Sequence, residues 1–340
     1  MKKFINKPEE VVDEMIEGIL LAHPNKIKSV REDDNKALVK KDSPSENKVA
    51  IVTGGGSGHL PLFLGYVGDG MLDGVAVGDI FASPSVQQIL DVTKNVDGGK
   101  GVLYLYGNYG GDLMNFDMAA EMSKLENIEV ESVVGTDDVA SMPKGSEYNR
   151  RGVAGLFYLY KIAAAKAETG ANLKQVKEIT ERVNHKVRTI GVAISPCVIP
   201  SVGKPNFEIE EESMEVGMGI HGEPGMYRKK LASADEVADS LTHLILEDLE
   251  VKENDDVSVL VNGLGSTPLQ ELYIVYRKIH KILSAKNINI YRSYVGEYAT
   301  SMEMGGLSIS IFKLDEELKK LLDEPFDTPF HKQFKEHPEE

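Results

Sequence analysis

The chain has 340 residues, of which 41% are hydrophobic and 27% charged, a size and composition typical of two globular domains. Its formal net charge of −16 argues against a nucleic-acid-binding surface, which needs clustered lysine and arginine to neutralise phosphates. The single cysteine, Cys197, rules out an internal disulfide, and no apolar run approaches the ~20 residues that span a membrane. We therefore expect a cytoplasmic protein with small-molecule or basic partners, in which Cys197 is a small buried hydrophobic residue.

Short β-rich runs alternate with helical patterns in the first half of the chain, which is typical of an α/β fold. Strands are predicted at 49–53, 74–78, 101–108 and 128–136, and helices at 8–23, 83–96, 115–127, 152–170 and 173–188. Ser83 is the predicted N-cap of the second of these helices, because a proline follows it in the first turn.

The strand pattern restarts after Arg188, and this restart predicts a domain boundary. Further strands are predicted at 190–195, 257–265, 288–298 and 306–314, and helices at 233–249 and 268–286. The sequence thus predicts a first α/β domain over 1–187, a second over 188–330 and a polar tail over 331–340 whose end is mobile.

A glycine-rich segment, GGGSGHLP, follows the first predicted strand and contains His59. Glycines at this position let the backbone adopt positive φ and bring amide N–H groups close to a polar ligand. The spacing fits neither a dinucleotide fingerprint nor a Walker A loop nor a nucleophile elbow. His59 is therefore a candidate site residue, with capping of a turn as the alternative.

A second glycine-rich segment, YGNYGGDLMNF, places Asp112 just beyond another strand. Ligands of open α/β sheets bind at the carboxyl ends of the strands, so Asp112 and His59 are expected to face one crevice. Asp112 could equally serve as the N-cap of the next helix.

In a similar loop, NGLGSTP, the glycines are interpreted as a tight turn and Thr267 as an N-cap.

The segment MGIHGEPGM surrounds His221 with glycines. Small neighbours leave an imidazole accessible, as a nucleophile or a general acid requires. A zinc site is disfavoured, because the paired spacing of histidine or cysteine ligands is missing. The other histidines lie in helical patterns or in the tail and are interpreted as surface or packing residues.

These segments, together with RRGVAG, GKPNF and TSMEM in this order, resemble the dihydroxyacetone kinase family, specifically its ketose-binding K domain. The resemblance covers nearly the whole chain. It implies a cytoplasmic homodimer of subunits with two α/β domains of the K-domain type, each a mixed sheet flanked by helices.

The resemblance also implies the roles of the site residues. His221 would hold a short ketose as a covalent hemiaminal, His59 would hydrogen-bond the sugar, and Asp112 would accept the proton of the terminal hydroxyl as that hydroxyl attacks a phosphoryl group. The implied substrate-binding residues are Gly56, Ser57, Gly58, His59, Gly107 and Asp112.

The family further implies that this chain binds no cofactor or metal of its own. A separate L-type subunit would carry ADP or ATP with Mg²⁺ and supply the phosphoryl group. Whether ATP or a phosphotransferase-system protein recharges that subunit stays open at this point.

Two positions depart from the family pattern. Gly107 stands where the best-known bacterial K subunits have a lysine, and Leu60 where they have a glutamate. One interpretation is a different ketose such as erythrulose, for which a glycine would make room. The other is loss of kinase function, as in ketose-sensing paralogues that act as coactivators of a transcription regulator. Retention of His59, Asp112 and His221 together favours the kinase.

Overall fold

The computed structural model describes residues 2–335 and contains two six-stranded mixed sheets. The first sheet has the order β1-β2-β4-β3-β5-β6, with β1 and β2 antiparallel to their neighbours and the remaining pairs parallel. Its strands are β1 Ile27–Ser29, β2 Ala37–Lys40, β3 Ala50–Ser57, β4 Gly74–Ile80, β5 Val102–Gly107 and β6 Val130–Gly135. The helices of this half are α1 Val11–Ala22, α2 Val86–Val96, α3 Gly110–Leu125, α4 Leu156–Glu168 and α5 Leu173–Lys186.

The second sheet has the order β11-β10-β12-β7-β8-β9, in which only the β10 and β11 pair is parallel. Its strands are β7 Val187–Ser195, β8 Ser213–Val216, β9 Tyr227–Lys230, β10 Asp256–Gly263, β11 Asn289–Gly296 and β12 Gly305–Lys313. The remaining elements are α6 Ala234–Leu249, α7 Leu269–Ala285, α8 Glu316–Asp323 and the short pair β13 Phe326–Asp327 and β14 Lys332–Gln333. The predicted α/β class with mixed, helix-flanked sheets is confirmed.

Helix α4 connects the cores of the two halves. Its central residues are all buried, and one apolar cluster combines them with strands of the first sheet and with Phe312 and Leu318 of the second half. A continuous apolar surface of this kind makes a helix a shared core element rather than a surface element. The division at residue 188 therefore stays a prediction, although the two sheets use separate stretches of chain.

Two predicted helix starts are wrong, and side-chain hydrogen bonds explain both. Ser85, not Ser83, caps α2 through a reciprocal capping box with Gln88. The Thr267 hydroxyl does not cap α7 but donates to the Gly306 carbonyl across the sheet at 2.6 Å. Sequence spacing allowed both predictions; a local capping box decided the first, and a tertiary contact with Gly306 decided the second.

Three further predictions concern Cys197, the C-terminal tail and membrane-spanning helices. Cys197 is buried in an apolar cluster with Met304, and burial raises the pKa of its thiol to about 11, as expected for a packing residue. Gln333, in the predicted polar tail, is buried and donates to the Leu322 carbonyl. The expected mobile end, 336–340, lies outside the described residues. None of the helices within residues 2–335 combines the length and apolar character needed to cross a membrane.

A buried ion cluster ties the two halves together. The Arg150 guanidinium, only 1% exposed, forms two parallel hydrogen bonds with the Asp248 carboxylate at 2.8 and 2.6 Å. Arg188 of β7 donates to the same carboxylate at 2.6 Å. Bidentate pairing compensates for the desolvation of these charges, so removing the shared carboxylate leaves two buried cations without the carboxylate to which both are hydrogen-bonded.

We expect Asp248→Ala to lower the free energy of unfolding by about 3–5 kcal/mol, the usual cost of breaking a buried ion pair. Denaturant unfolding followed by circular dichroism measures this change. Glu247→Ala, at the exposed neighbouring position, is the matched control and should change stability by less than about 0.5 kcal/mol. Equal effects of the two substitutions would contradict the role assigned to the cluster.

Candidate active site

The three predicted chemical residues come together at one place. His59 follows β3, Asp112 lies in the first turn of α3, and His221 lies in the loop between β8 and β9. The rings of His59 and His221 are perpendicular, with centroids 4.7 Å apart. Asp112 is near enough to His221 for a charge on that imidazole to lower the carboxyl pKa. Both halves of the chain therefore contribute to one site.

Glu223 fixes the tautomer of His221. The Nδ1 atom of His221 lies 2.9 Å from Glu223 Oε1, and the backbone N–H of His221 donates to Oε2 at 3.0 Å. Burial opposes ionisation of Glu223, but the hydrogen bond and charge of His221 hold the pKa of the carboxyl at about 2. An ionised carboxylate only accepts, so in the neutral imidazole Nδ1 carries the hydrogen and Nε2 has the lone pair.

The glycines around His221 are required by packing as well as by access. A Cβ at Gly219 would lie 2.1 Å from Glu223 Oε2, and one at Gly222, where φ is +87°, would lie 2.4 Å from Asn206 Nδ2. That Asn206 amide donates to the His221 carbonyl at 3.0 Å. The glycines thus allow Glu223 and Asn206 to approach the backbone of the loop and hold the imidazole in place.

Arg151 holds the base of the same loop. Its guanidinium pairs with Asp138 at 2.8 Å and donates to the Gly217 carbonyl at 2.9 Å. A further nitrogen lies 3.9 Å from Glu223 Oε2. Sequence reasoning missed Arg151, Glu223 and Asn206 as functional residues. Glu223 had a readable signal, since it is a carboxylate two residues after the candidate nucleophile.

His59 is held by one ring nitrogen and leaves the other free. Nδ1 lies 2.8 Å from the Thr300 carbonyl, which only accepts, so Nδ1 carries the hydrogen. Nε2 is buried and has no hydrogen-bond partner among residues 2–335. Burial, assisted by a charge on His221, lowers the pKa of His59 to about 3. The neutral imidazole therefore presents an unpaired acceptor to the site rather than capping a turn.

The loop before His59 packs against the turn that contains Phe81. A Cβ at Gly56 would lie 2.7 Å from the Ala82 nitrogen, and one at Gly58, where φ is +101°, would lie 2.8 Å from Phe81 Cε1. The Ser57 hydroxyl donates to the Gly78 carbonyl at 2.7 Å. The glycines here make room for a neighbouring turn, and the Ser57 side chain joins two strands.

Asp112 is a buried carboxyl with unused hydrogen-bonding capacity. It lies within α3, whose N-cap is Tyr109, so the expected alternative of Asp112 as an N-cap is wrong. Its Oδ1 atom has no hydrogen-bond partner among the described residues. Burial raises the pKa of Asp112 to about 6, against the opposing effects of Ser83 and His221. A carboxyl poised near neutrality is suited to accept a proton.

The ring of Tyr109 borders the space beside Gly107. A Cβ at Gly107 would lie 3.0 Å from Tyr109 Cε2, so the ring leaves little room for a side chain at this position. The same ring meets His221 edge-on at 4.7 Å, and its hydroxyl donates to the Gly152 carbonyl at 3.1 Å. Leu60 is partly buried against the apolar core of the first half. The space expected at Gly107 is therefore bounded by an aromatic wall.

Comparison with known proteins identifies the family of the chain. The Dak1 domain matches residues 17–330. The dihydroxyacetone-binding subunit DhaK of PTS-dependent dihydroxyacetone kinase 2 from Listeria innocua is 46% identical over 98% of this chain and 99% of its own length. The L-erythrulose kinase of Pectobacterium atrosepticum is 40% identical over 97% of this chain, which spans 56% of that longer protein.

A solved structure extends the comparison. The dihydroxyacetone kinase operon co-activator Dha-DhaQ is 32% identical and has a TM-score of 0.86, over 94% of this chain and 97% of its own. The fold is therefore of the K-domain type that the motifs imply. The chain belongs to the Dak1 domain family and, with its closely similar kinase relatives, to the phosphotransferases that act on an alcohol group.

Proposed function

We propose that this chain is the ketose-binding subunit of a dihydroxyacetone-type kinase, which holds a short ketose as a hemiaminal on His221 for phosphorylation of its terminal hydroxyl. The observation that carries the proposal is the free Nε2 of His221. Glu223 fixes Nδ1 as the protonated nitrogen. The centroid of the His59 ring lies 4.7 Å from that of the His221 ring, and Asp112 is close enough for a charge on His221 to lower its pKa. The names of the kinase relatives support the same function.

The capture step follows from the chemistry of the imidazole. The Nε2 lone pair forms a bond to the carbonyl carbon, the C=O π bond breaks, and the oxygen takes a proton from a water molecule, which is left as hydroxide in the solvent. The resulting imidazolium keeps its hydrogen on Nδ1, where it is hydrogen-bonded to Glu223. The Glu223 carboxylate compensates the positive charge. An alcohol has no electrophilic carbon, so glycerol is rejected by its chemistry rather than by its size.

His59 and Asp112 would act on the hydroxyl groups of the captured sugar. The unpaired Nε2 of His59 would accept a hydrogen bond from one hydroxyl. Asp112 would take the proton of the terminal hydroxyl as its oxygen forms a bond to phosphorus and the nucleotide leaves with the bonding electrons. Positioning and proton removal are what phosphoryl transfer requires from the acceptor side.

The phosphoryl donor would be a separate L-type subunit that carries ADP or ATP with Mg²⁺. The first glycine-rich loop, 54–58, is filled by side chains and a turn of the chain itself, which supports placing the nucleotide on a partner. The Listeria innocua relative is named as PTS-dependent, and this favours a phosphoprotein as the source of the phosphoryl group. A cytoplasmic homodimer remains part of the proposal.

Dihydroxyacetone is the ketose we favour. The Tyr109 ring borders the space that the glycine at 107 would otherwise open, and the relative with 46% identity is named as a dihydroxyacetone-binding subunit. Erythrulose, the substrate in the name of another relative, has one more carbon and would have to extend away from that wall.

A second candidate function is ketose sensing without catalysis, favoured by the similarity to the co-activator Dha-DhaQ. A sensor needs the capturing imidazole but has less use for a proton acceptor. Asp112, with its unpaired Oδ1 and raised pKa, therefore favours the kinase. Adduct formation without phosphorylation, in the presence of a cognate nucleotide subunit, would reverse this choice.

His221→Ala should abolish the adduct, because the attacking nitrogen is removed. Dihydroxyacetone labelled with ¹³C at its carbonyl carbon reports this by NMR, since the protein-bound signal moves from the carbonyl region to that of a tetrahedral carbon. His243→Ala, at an exposed position on α6, should keep the bound signal. A tetrahedral bound signal in His221→Ala would refute the assignment.

Phosphorylation should fail as the pH falls through about 6, because only the ionised Asp112 accepts a proton and its pKa is raised to about 6. Asp112→Asn should retain the adduct and lower kcat by about 10²–10⁴-fold. A coupled assay with the nucleotide subunit measures both effects, with the exposed Asp117→Asn as control. A near-normal kcat in Asp112→Asn would show that another group is the base.

A further inference from the structure

Phe81 contacts both imidazoles of the site, although no motif in the sequence singled it out. Its ring is stacked on His59, with centroids 5.0 Å apart and planes at 20°. The same ring meets His221 edge-on, with centroids 5.2 Å apart and planes at 88°. One side chain thus restricts the orientation of both imidazoles. It thereby helps to keep the two rings perpendicular.

The backbone of Phe81 is held in an unfavourable conformation to achieve this. Its φ of +57° lies in the left-handed region, which bulky residues rarely occupy. Its N–H donates to the Ser57 carbonyl at 3.0 Å, and its ring lies within 2.8 Å of the position that a Cβ at Gly58 would take. Unfavourable backbone conformations that the surrounding structure enforces are concentrated at functional sites.

Phe81 also covers one face of the His59 ring. Phe63 meets that ring edge-on at 6.2 Å, and the charged or titratable groups that face it are His221 and Glu223. The buried Nε2 of His59 nevertheless has no hydrogen-bond partner among the residues that the structure describes. A buried nitrogen without a partner costs free energy, and a ligand that binds it would recover that free energy.

We propose that Phe81 is a positioning residue, which fixes the perpendicular pair of imidazoles and shields His59 from water, so that the free Nε2 of His59 meets a ketose bonded to His221. The inference rests on the proposed function, because the ketose is the ligand in question. It adds a residue that acts through the two histidines and does not itself react.

Phe81→Gly tests the proposal, because glycine adopts a φ of +57° without strain, so the side chain is removed without forcing the backbone to change. We expect dihydroxyacetone affinity to fall at least tenfold while the thermal unfolding curve stays cooperative. NMR of ¹⁵N-labelled histidine should show His59 titrating between about pH 5 and 8 in this variant, the range of an unperturbed imidazole, but not in the wild type. Phe81→Tyr, which keeps the flat ring, should restore both properties.

Phe63→Leu is the matched control, since Phe63 also has a positive φ and packs against His59. It should lower stability and change dihydroxyacetone affinity by less than about threefold. Wild-type affinity and a non-titrating His59 in Phe81→Gly would overturn the proposal, as would an equal loss of affinity in Phe63→Leu. Absence of an adduct in the wild type would instead overturn the proposed function, and the His59 titration would still decide the shielding role of Phe81.

Discussion

The hydrogen bond between His221 Nδ1 and Glu223 is the interaction on which the chemistry of the site depends. It places the hydrogen on Nδ1, frees Nε2 as a nucleophile, and provides the negative charge that an imidazolium adduct needs. The bond forms only because Gly219 and Gly222 leave room for Glu223 and Asn206 beside the loop. A short edge hairpin, β8 and β9, thereby becomes a rigid support for one imidazole.

Burial adjusts the other two groups in complementary ways. Desolvation disfavours the charged form of any group, so it lowers the pKa of His59 and raises that of Asp112. His59 is left as a neutral hydrogen-bond acceptor, and Asp112 as a carboxyl that releases and takes up a proton near neutral pH. Phe81 contacts the rings of both imidazoles, and Tyr109 contacts that of His221.

Strand periodicity is a local signal, and from it the sequence predicted the α/β class. Flanking glycines, also a local signal, pointed to His59, Asp112 and His221, which the structure brings together. It did not predict β8 and β9, which are four residues long and take their order from pairing with β7. Phe81 and Tyr109 were missed because an isolated aromatic residue in a loop is typical of any packed protein. The room expected at Gly107 depended on where the Tyr109 ring lies, which no spacing rule encodes.

The central claim is that Nε2 of His221 bonds covalently to the carbonyl carbon of a short ketose. A crystal structure with dihydroxyacetone tests it most directly. We predict continuous electron density from Nε2 of His221 to a tetrahedral carbon. Glu223 should still be hydrogen-bonded to Nδ1, and Nε2 of His59 should accept a hydrogen bond from a sugar hydroxyl. A planar carbonyl carbon at van der Waals distance from His221, or a bond to any other residue, would contradict the account.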